Sequence, residues 1–226
     1  MKHFTFALLF LVLAAPSVAR PDSSPVEEDF EHGVSSQWTT EGLGPQKDQG
    51  MVEAMAEPGG NHFLRISTDG SFYSLGIDSP FDPEKYPVLS WRWRVERMPE
   101  RADIASRSGD DAGARLFVVF RAPKDSPRAS DRKLEYVWDT THPAGTILPD
   151  PYAPEDQKAI VLESGSAKRG QWVREQVNLL DDYKRAFGEK PGWVKTIAFA
   201  SDSNETRSKT ISDFDDLQIN PSAAPK

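Results

Sequence analysis

The sequence predicts an all-β chain, a two-sheet antiparallel β-sandwich of jelly-roll type with one short helix near residues 179–188. Three observations carry that reading. Short runs rich in β-branched and aromatic residues recur along the chain, separated by glycine, proline and aspartate turn signals. Leu89–Val95 (LSWRWRV) alternates large apolar side chains with serine and arginine, the period of a strand with one buried face. Only one stretch repeats with helical period, so the pattern is that of stacked sheets and not of alternating strands and helices.

In chain order, Lys2 and His3 precede an apolar run from Phe4 to Ala15, and Ser17 and Ala19 supply the small residues of a cleavage site after Ala19. Residues 1–19 therefore read as a secretory signal peptide, and the run is too short to span a bilayer comfortably. Residues 20–28 (RPDSSPVEE) read as a flexible lead-in, 29–219 as a single sandwich domain and 220–226 as a flexible tail. Strands are expected at His62–Thr68, Phe72–Ile77, Val88–Val95, Ala114–Phe120, Lys133–Asp139, Lys158–Glu163, Trp172–Asn178, Thr196–Ala200 and Ile211–Ile219. Leu179, Leu180, Tyr183 and Phe187 lie at helical spacing, with Gly188 as a stop and Pro191 beyond it. The segment Thr140–Asp156 holds four prolines and reads as a long loop that could wall a site.

The chain has 226 residues, with 27 basic and 35 acidic side chains and no cysteine. Loss of Lys2 with the signal peptide leaves a net charge of −9. That balance argues against nucleic acid and against an anionic membrane surface as main partners. An exported chain without cysteine must be stable without disulfides, which fits a bacterial periplasm or the cell exterior.

Alternation sorts the strand faces. Trp91 and Trp93 share a face with Leu89 and Val95 and are expected in the core, which sends Arg92 and Arg94 to the other side. Arg115, Glu135, Asp139, Glu163 and Glu175 are further charges on apolar strands. Together with Arg92 and Arg94 they are the candidate ligand-binding set, because arginine and carboxylate groups bind hydroxyls in fixed directions. The alternative is a cross-strand ladder of ion pairs. The pair Asp110 and Asp111 could hold Ca²⁺, or serve a turn or a salt bridge.

Catalytic signals are thin. His32, His62 and His142 lie far apart in no metal-ligand spacing, and there is no cysteine nucleophile and no G-x-S-x-G elbow. Glu135, Glu163 and Glu175 are the carboxylates a glycosidase could use.

Asp29–Trp38 (DFEHGVSSQW) and Ile211–Ile219 (ISDFDDLQI) resemble the opening and closing segments of galactose-binding-like carbohydrate-binding modules. That resemblance implies a structural calcium between Glu31 and Asp215 or Asp216. Over residues 88–219 the chain resembles the bacterial family named domain of unknown function 3047. LSWRWRV, GDDAGARLFVVF, LEYVWD, VLESGSAKRGQWVREQVNLLDDYKRAFG and IAFASDSNET carry the likeness. It implies an exported sandwich protein and no activity; Ser201, Ser203 and Glu205 depart from the family pattern, so no ligand role passes to that loop. The expected function is a non-catalytic binding module for a glycan or another polar envelope ligand. A glutamate-pair hydrolase and a structural or protein-interaction module stand as alternatives.

Overall fold

The computed structural model describes residues 25–43, 49–122 and 130–221. The expected signal peptide, residues 20–24 of the lead-in and residues 222–226 of the tail lie outside the described residues. Among the described residues no helix is long and apolar enough to cross a membrane.

Among the described residues twelve strands and one helix follow in chain order: β1 (Thr39–Leu43), β2 (Met51–Ala56), β3 (His62–Asp69), β4 (Phe72–Phe81), β5 (Val88–Arg97), β6 (Ala114–Phe120), β7 (Arg132–Asp139), β8 (Ile147–Pro149), β9 (Gln157–Ser164), β10 (Val173–Asn178), α1 (Leu179–Phe187), β11 (Val194–Asp202) and β12 (Lys209–Asn220). They form a two-sheet sandwich. One sheet has the order β1-β4-β11-β6-β7-β9-β8 and the other β10-β5-β12-β3-β2. All the ladders are antiparallel except β7 with β9, which run parallel. The short β8 reverses the chain between them and pairs antiparallel with β9.

The nine expected strands are present. β1, β2 and β8 are additions, each at a sheet edge. β1 is short and polar, β2 reads MVEAMA with no β-branched run, and β8 has three residues ending in proline. Edge strands are half solvated, so their sequences carry little alternation. β8 also divides the stretch expected to be one loop, Thr140–Asp156.

The lead-in is held in part. Glu28 exchanges backbone hydrogen bonds with Leu217 at 3.0 and 2.8 Å, and the Val26 N–H donates to Ser79 Oγ at 3.1 Å. Phe30 takes a left-handed backbone (φ 53°) that sets its ring fully into the core beside Trp38 and Phe199.

Trp91 and Trp93 on β5 are fully buried, as the alternation requires. Trp91 packs on Tyr136 and Trp93 on Trp138 across the two sheets, with centroids 5.5 and 6.0 Å apart. At one end α1 closes the interior. Asn178 caps it by accepting from the N–H groups of Leu180 and Asp181, and Gly188 ends it at φ 77°. Its Tyr183 packs on Phe120 at 4.8 Å.

A second, smaller cluster lies on the outer face of the seven-stranded sheet. Val137, Ala159 and Val161 are covered there by Ile104 and Ala112 and by Leu148 of β8. The segments 98–113 and 140–156 thus seal one half of that face.

Gly192 tests the close packing at the β6–β11 end. A Cβ there would lie 2.2 Å from the Arg121 carbonyl oxygen, a backbone atom that cannot swing aside. Gly192→Ala is expected to cost about 1–3 kcal/mol in urea denaturation, whereas Gly145→Ala, with open space around it, reports only the strain of its φ of +88°.

Candidate functional site

The structure distributes the seven candidate binding residues over three places, so they do not form one charged face. Arg92 and Arg94 stand on the outer face of the five-stranded sheet. Arg115, Glu135 and Asp139 lie under the loops that cover the seven-stranded sheet. Glu163 and Glu175 meet at the rim where the sandwich opens.

On the five-stranded sheet the arginines are rungs of an ion-pair ladder. Arg94 Nε donates to Asp213 at 2.8 Å, Arg94 Nη1 to Glu57 at 2.7 Å, and Arg65 Nε to the other oxygen of Asp213 at 2.7 Å. Arg92 donates to Asp215 at 2.5 Å and to Asn61 at 2.8 Å, and its Nε lies 3.2 Å from Asp216. Register explains the match: Asp213 sits opposite Arg94 and Arg65, and Asp215 opposite Arg92. The Trp172 ring lies against both guanidiniums, 4.7 Å from Arg92 and 4.5 Å from Arg94, and its Nε1 donates to Glu57 at 2.9 Å. The Arg65 partner raises nothing free for a ligand, because Asp213 is fully buried and shared between two cations.

The calcium expectation meets the same ladder. Glu31 accepts from the His62 N–H at 2.9 Å and pairs with its ring at 2.9 Å, while Asp215 and Asp216 are held by Arg92 and Arg174. The positive charge that a cation would bring is supplied by side chains. Among the described residues no three His, Asp or Glu side chains are grouped to hold a metal ion.

Under the loops, Arg115 is almost fully buried and serves three carboxylates. It bonds Glu135 and Asp110 and lies 3.3 Å from Asp202. Gln157 Nε2 bridges Glu135 to Asp150 at 3.2 and 2.8 Å. Burial raises the Asp110 carboxyl to about 6 against the pull of Arg115. Burial likewise drives Asp202 well above the usual carboxylate range. Asp139 is a loop anchor: its Oδ2 accepts from the N–H groups of Thr141 and His142 and faces His142 Nδ1 at 2.9 Å.

Asp111 holds the 203–208 loop through the N–H groups of Glu205 and Thr206, at 3.1 and 2.7 Å. The pair Asp110-Asp111 is therefore a salt-bridge partner and a loop anchor. Ser201 and Ser203, which depart from the family pattern, join a buried hydroxyl chain with Thr68, Thr210 and Ser212.

At the rim, Glu175 accepts from Trp93 Nε1 at 3.1 Å, and Glu163 accepts from Lys168 at 2.6 Å. Burial, with the charge of Glu163 nearby, raises the Glu175 carboxyl to about 7. Of the three candidate glutamates for hydrolysis only these two share a neighbourhood; Glu135 lies on the outer face of the seven-stranded sheet, under the loops.

The half of the seven-stranded sheet that the loops leave open was not legible from charge. Its outward residues on β4 and β11 are small: Ser74, Gly76, Ala198 and Ala200. They leave a depression of about 370 Å³ floored by Gly76 and Ala198 and edged by Gln37, Thr39, Glu41, Asp78 and Thr196. Thr196 Oγ1 donates to Asp78 at 2.7 Å. Phe72 and Phe117 meet across Ala200 with centroids 6.3 Å apart, and Lys133 Nζ sits 4.8 Å over Phe117. A run of small residues between two polar edges was the available signal, and alternation by charge passes over it.

A family model described as "Protein of unknown function (DUF3047)" matches residues 36–218. No curated protein matches the chain. Among solved structures, the chain is similar to a family 11 carbohydrate-binding module from Clostridium thermocellum in complex with a β-1,3-1,4-mixed-linked tetrasaccharide. Identity there is 9%, coverage 88% of this chain and 97% of that one, and the TM-score 0.40. It is similar also to the CBM27-1 module of Caldicellulosiruptor saccharolyticus in complex with mannohexaose, at 16% identity, 89% and 100% coverage and a TM-score of 0.40. The catalytic domain of Humicola grisea Cel12A gives 10% identity, 82% and 94% coverage and a TM-score of 0.45.

Two measurements test the electrostatics. Asp110 and Glu175 ionise near 3.8 and 4.5 in an unfolded chain and near 6 and 7 in the fold. Their contribution to stability is complete below the lower values and is lost as pH rises through the upper ones. The melting temperature should fall between about pH 4 and about pH 7, and Glu175→Gln should flatten the upper part of that fall. Asp213→Ala strips a buried partner from Arg65 and Arg94 and is expected to cost about 2–3 kcal/mol in urea denaturation.

Proposed function

The chain belongs to the family described as protein of unknown function DUF3047, and from that premise we propose that it is an exported, non-catalytic module that binds a glycan on the open half of its seven-stranded sheet. The observation that carries the reading is the depression over Gly76 and Ala198. Its floor has no side chain longer than a methyl group, so an extended polyol can lie against the sheet. Its edges offer an amide from Gln37, hydroxyls from Thr39 and Thr196, and carboxylates from Glu41 and Asp78. These groups accept from and donate to sugar hydroxyls in set directions. Phe72, half-buried on the same face, supplies an apolar surface for a pyranose ring.

The charged strand residues are less suited to this role. Arg92 and Arg94 are committed to the ladder, and Arg115 and Glu135 are sealed from solvent. Export rests on the apolar run Phe4–Ala15 with Ser17 and Ala19, and places the protein in a bacterial periplasm or outside the cell.

The test is a screen of the protein, residues 20–226, against immobilised oligosaccharides, followed by calorimetry on the strongest hit. Asp78→Ala and Glu41→Ala are both exposed, so their folds should survive. Each should weaken binding about tenfold, the scale of one hydrogen bond to a charged group. Retention of no oligosaccharide, or unchanged affinity in both variants, would sink the proposal.

A further inference from the structure

A separate depression lies on the other sheet. Met51, Ser67, Ile211 and Arg97 form one row across β2, β3, β12 and β5, each opposite the next. The row depends on a β-bulge. Ser212 sits opposite Val95 and Ile211 opposite Arg97, which leaves Glu96 as the extra residue on β5. The bulge re-aims the strand end, so both Glu96 and Arg97 address the outer face. Glu96 joins the ladder, 3.0 Å from Arg94 Nε. Arg97 instead lines a depression of about 380 Å³ together with Gly50, Met51 and Ile211.

Two properties of this depression point to a ligand. It carries exposed apolar surface, with Met51 51% exposed beside Ile211. It also carries a cation without a counter-ion. Lys209 at the edge is neutralised by Asp69 at 2.6 Å, whereas Arg97 has no ion pair or side-chain hydrogen bond among the described residues. An apolar hollow with one unpaired guanidinium at its lip is complementary to an alkyl chain ending in a carboxylate. At the roughly 30 Å³ that one water takes up in the liquid, about 380 Å³ has room for about twelve heavy atoms, the size of a medium-chain alkyl carboxylate.

We propose that this depression binds a medium-chain alkyl carboxylate, its chain laid over Met51 and Ile211 and its carboxylate held by Arg97 in a bidentate pair. Burial of the chain supplies affinity, and the guanidinium selects the anion. The site shares no residue with the depression over Gly76 and Ala198.

Decanoate, kept below its micelle concentration, is titrated into the folded protein by calorimetry. Saturable binding at one site is expected. Arg97→Gln should weaken it about tenfold, and Met51→Asp, which puts a charge against the chain, should abolish it; matching urea midpoints establish that both variants fold. Uncharged 1-decanol should bind the wild type no more tightly than decanoate binds Arg97→Gln. Asp78→Ala should bind decanoate like the wild type, which separates this site from the glycan surface. Absence of saturable binding, or equal decanoate affinity in the wild type and Arg97→Gln, would overturn the proposal.

Discussion

Everything in this molecule depends on the contact of two indoles from β5 with Tyr136 and Trp138 of β7. These are the largest side chains in the interior, all essentially without solvent exposure, and they come from opposite sheets. In a fold without disulfides, large apolar surfaces of this kind hold the layers together, and truncation of one such ring costs about 3–5 kcal/mol. The same contact orders the outside. A strand that turns Trp91 and Trp93 inward must turn Arg92 and Arg94 outward, so the ion-pair ladder is the other half of the packing arrangement.

Aromatic residues with polar atoms impose a second demand, because a buried N–H or O–H is stabilised by a partner; Trp91 Nε1 has none among the described residues, but three other such groups do. Trp93 Nε1 reaches Glu175, Tyr136 Oη donates to Asp182 at 3.1 Å, and Trp138 Nε1 donates to the Gly165 carbonyl at 2.9 Å. Glu175 and Asp182 thus stand at the rim because the core needs acceptors there. Their carboxyls are pushed up chiefly by burial. A raised carboxyl at an opening resembles a catalytic acid, yet here it has a structural cause.

The two outer faces then differ by what covers them. The five-stranded sheet pairs its arginines with its own carboxylates beneath the Trp172 ring, except at the bulge that frees Arg97. The seven-stranded sheet is half sealed by loops anchored on Asp111 and Asp139, with Arg115 balancing carboxylates beneath them. Its open half owes its shape to small residues on β4 and β11. Both proposed binding surfaces therefore arise where the sheet lacks something: side-chain bulk in one case, a counter-charge in the other.

Sequence by itself determined the positions of nine strands, the inward face of β5, the helix with its Gly188 stop, and the conflict between a ladder and a binding face. Those features follow from period, turn chemistry and local capping, which act over a few residues. The edge strands β1, β2 and β8, the parallel pairing of β7 with β9, and the separation of Arg94, Arg115 and Glu175 onto three surfaces were decided only by tertiary structure. Alternation says that a residue points away from its neighbour, but not which sheet its strand joins or what lies above it. That choice is made by long-range packing, and it turned one expected charged face into a ladder, a sealed network and a rim.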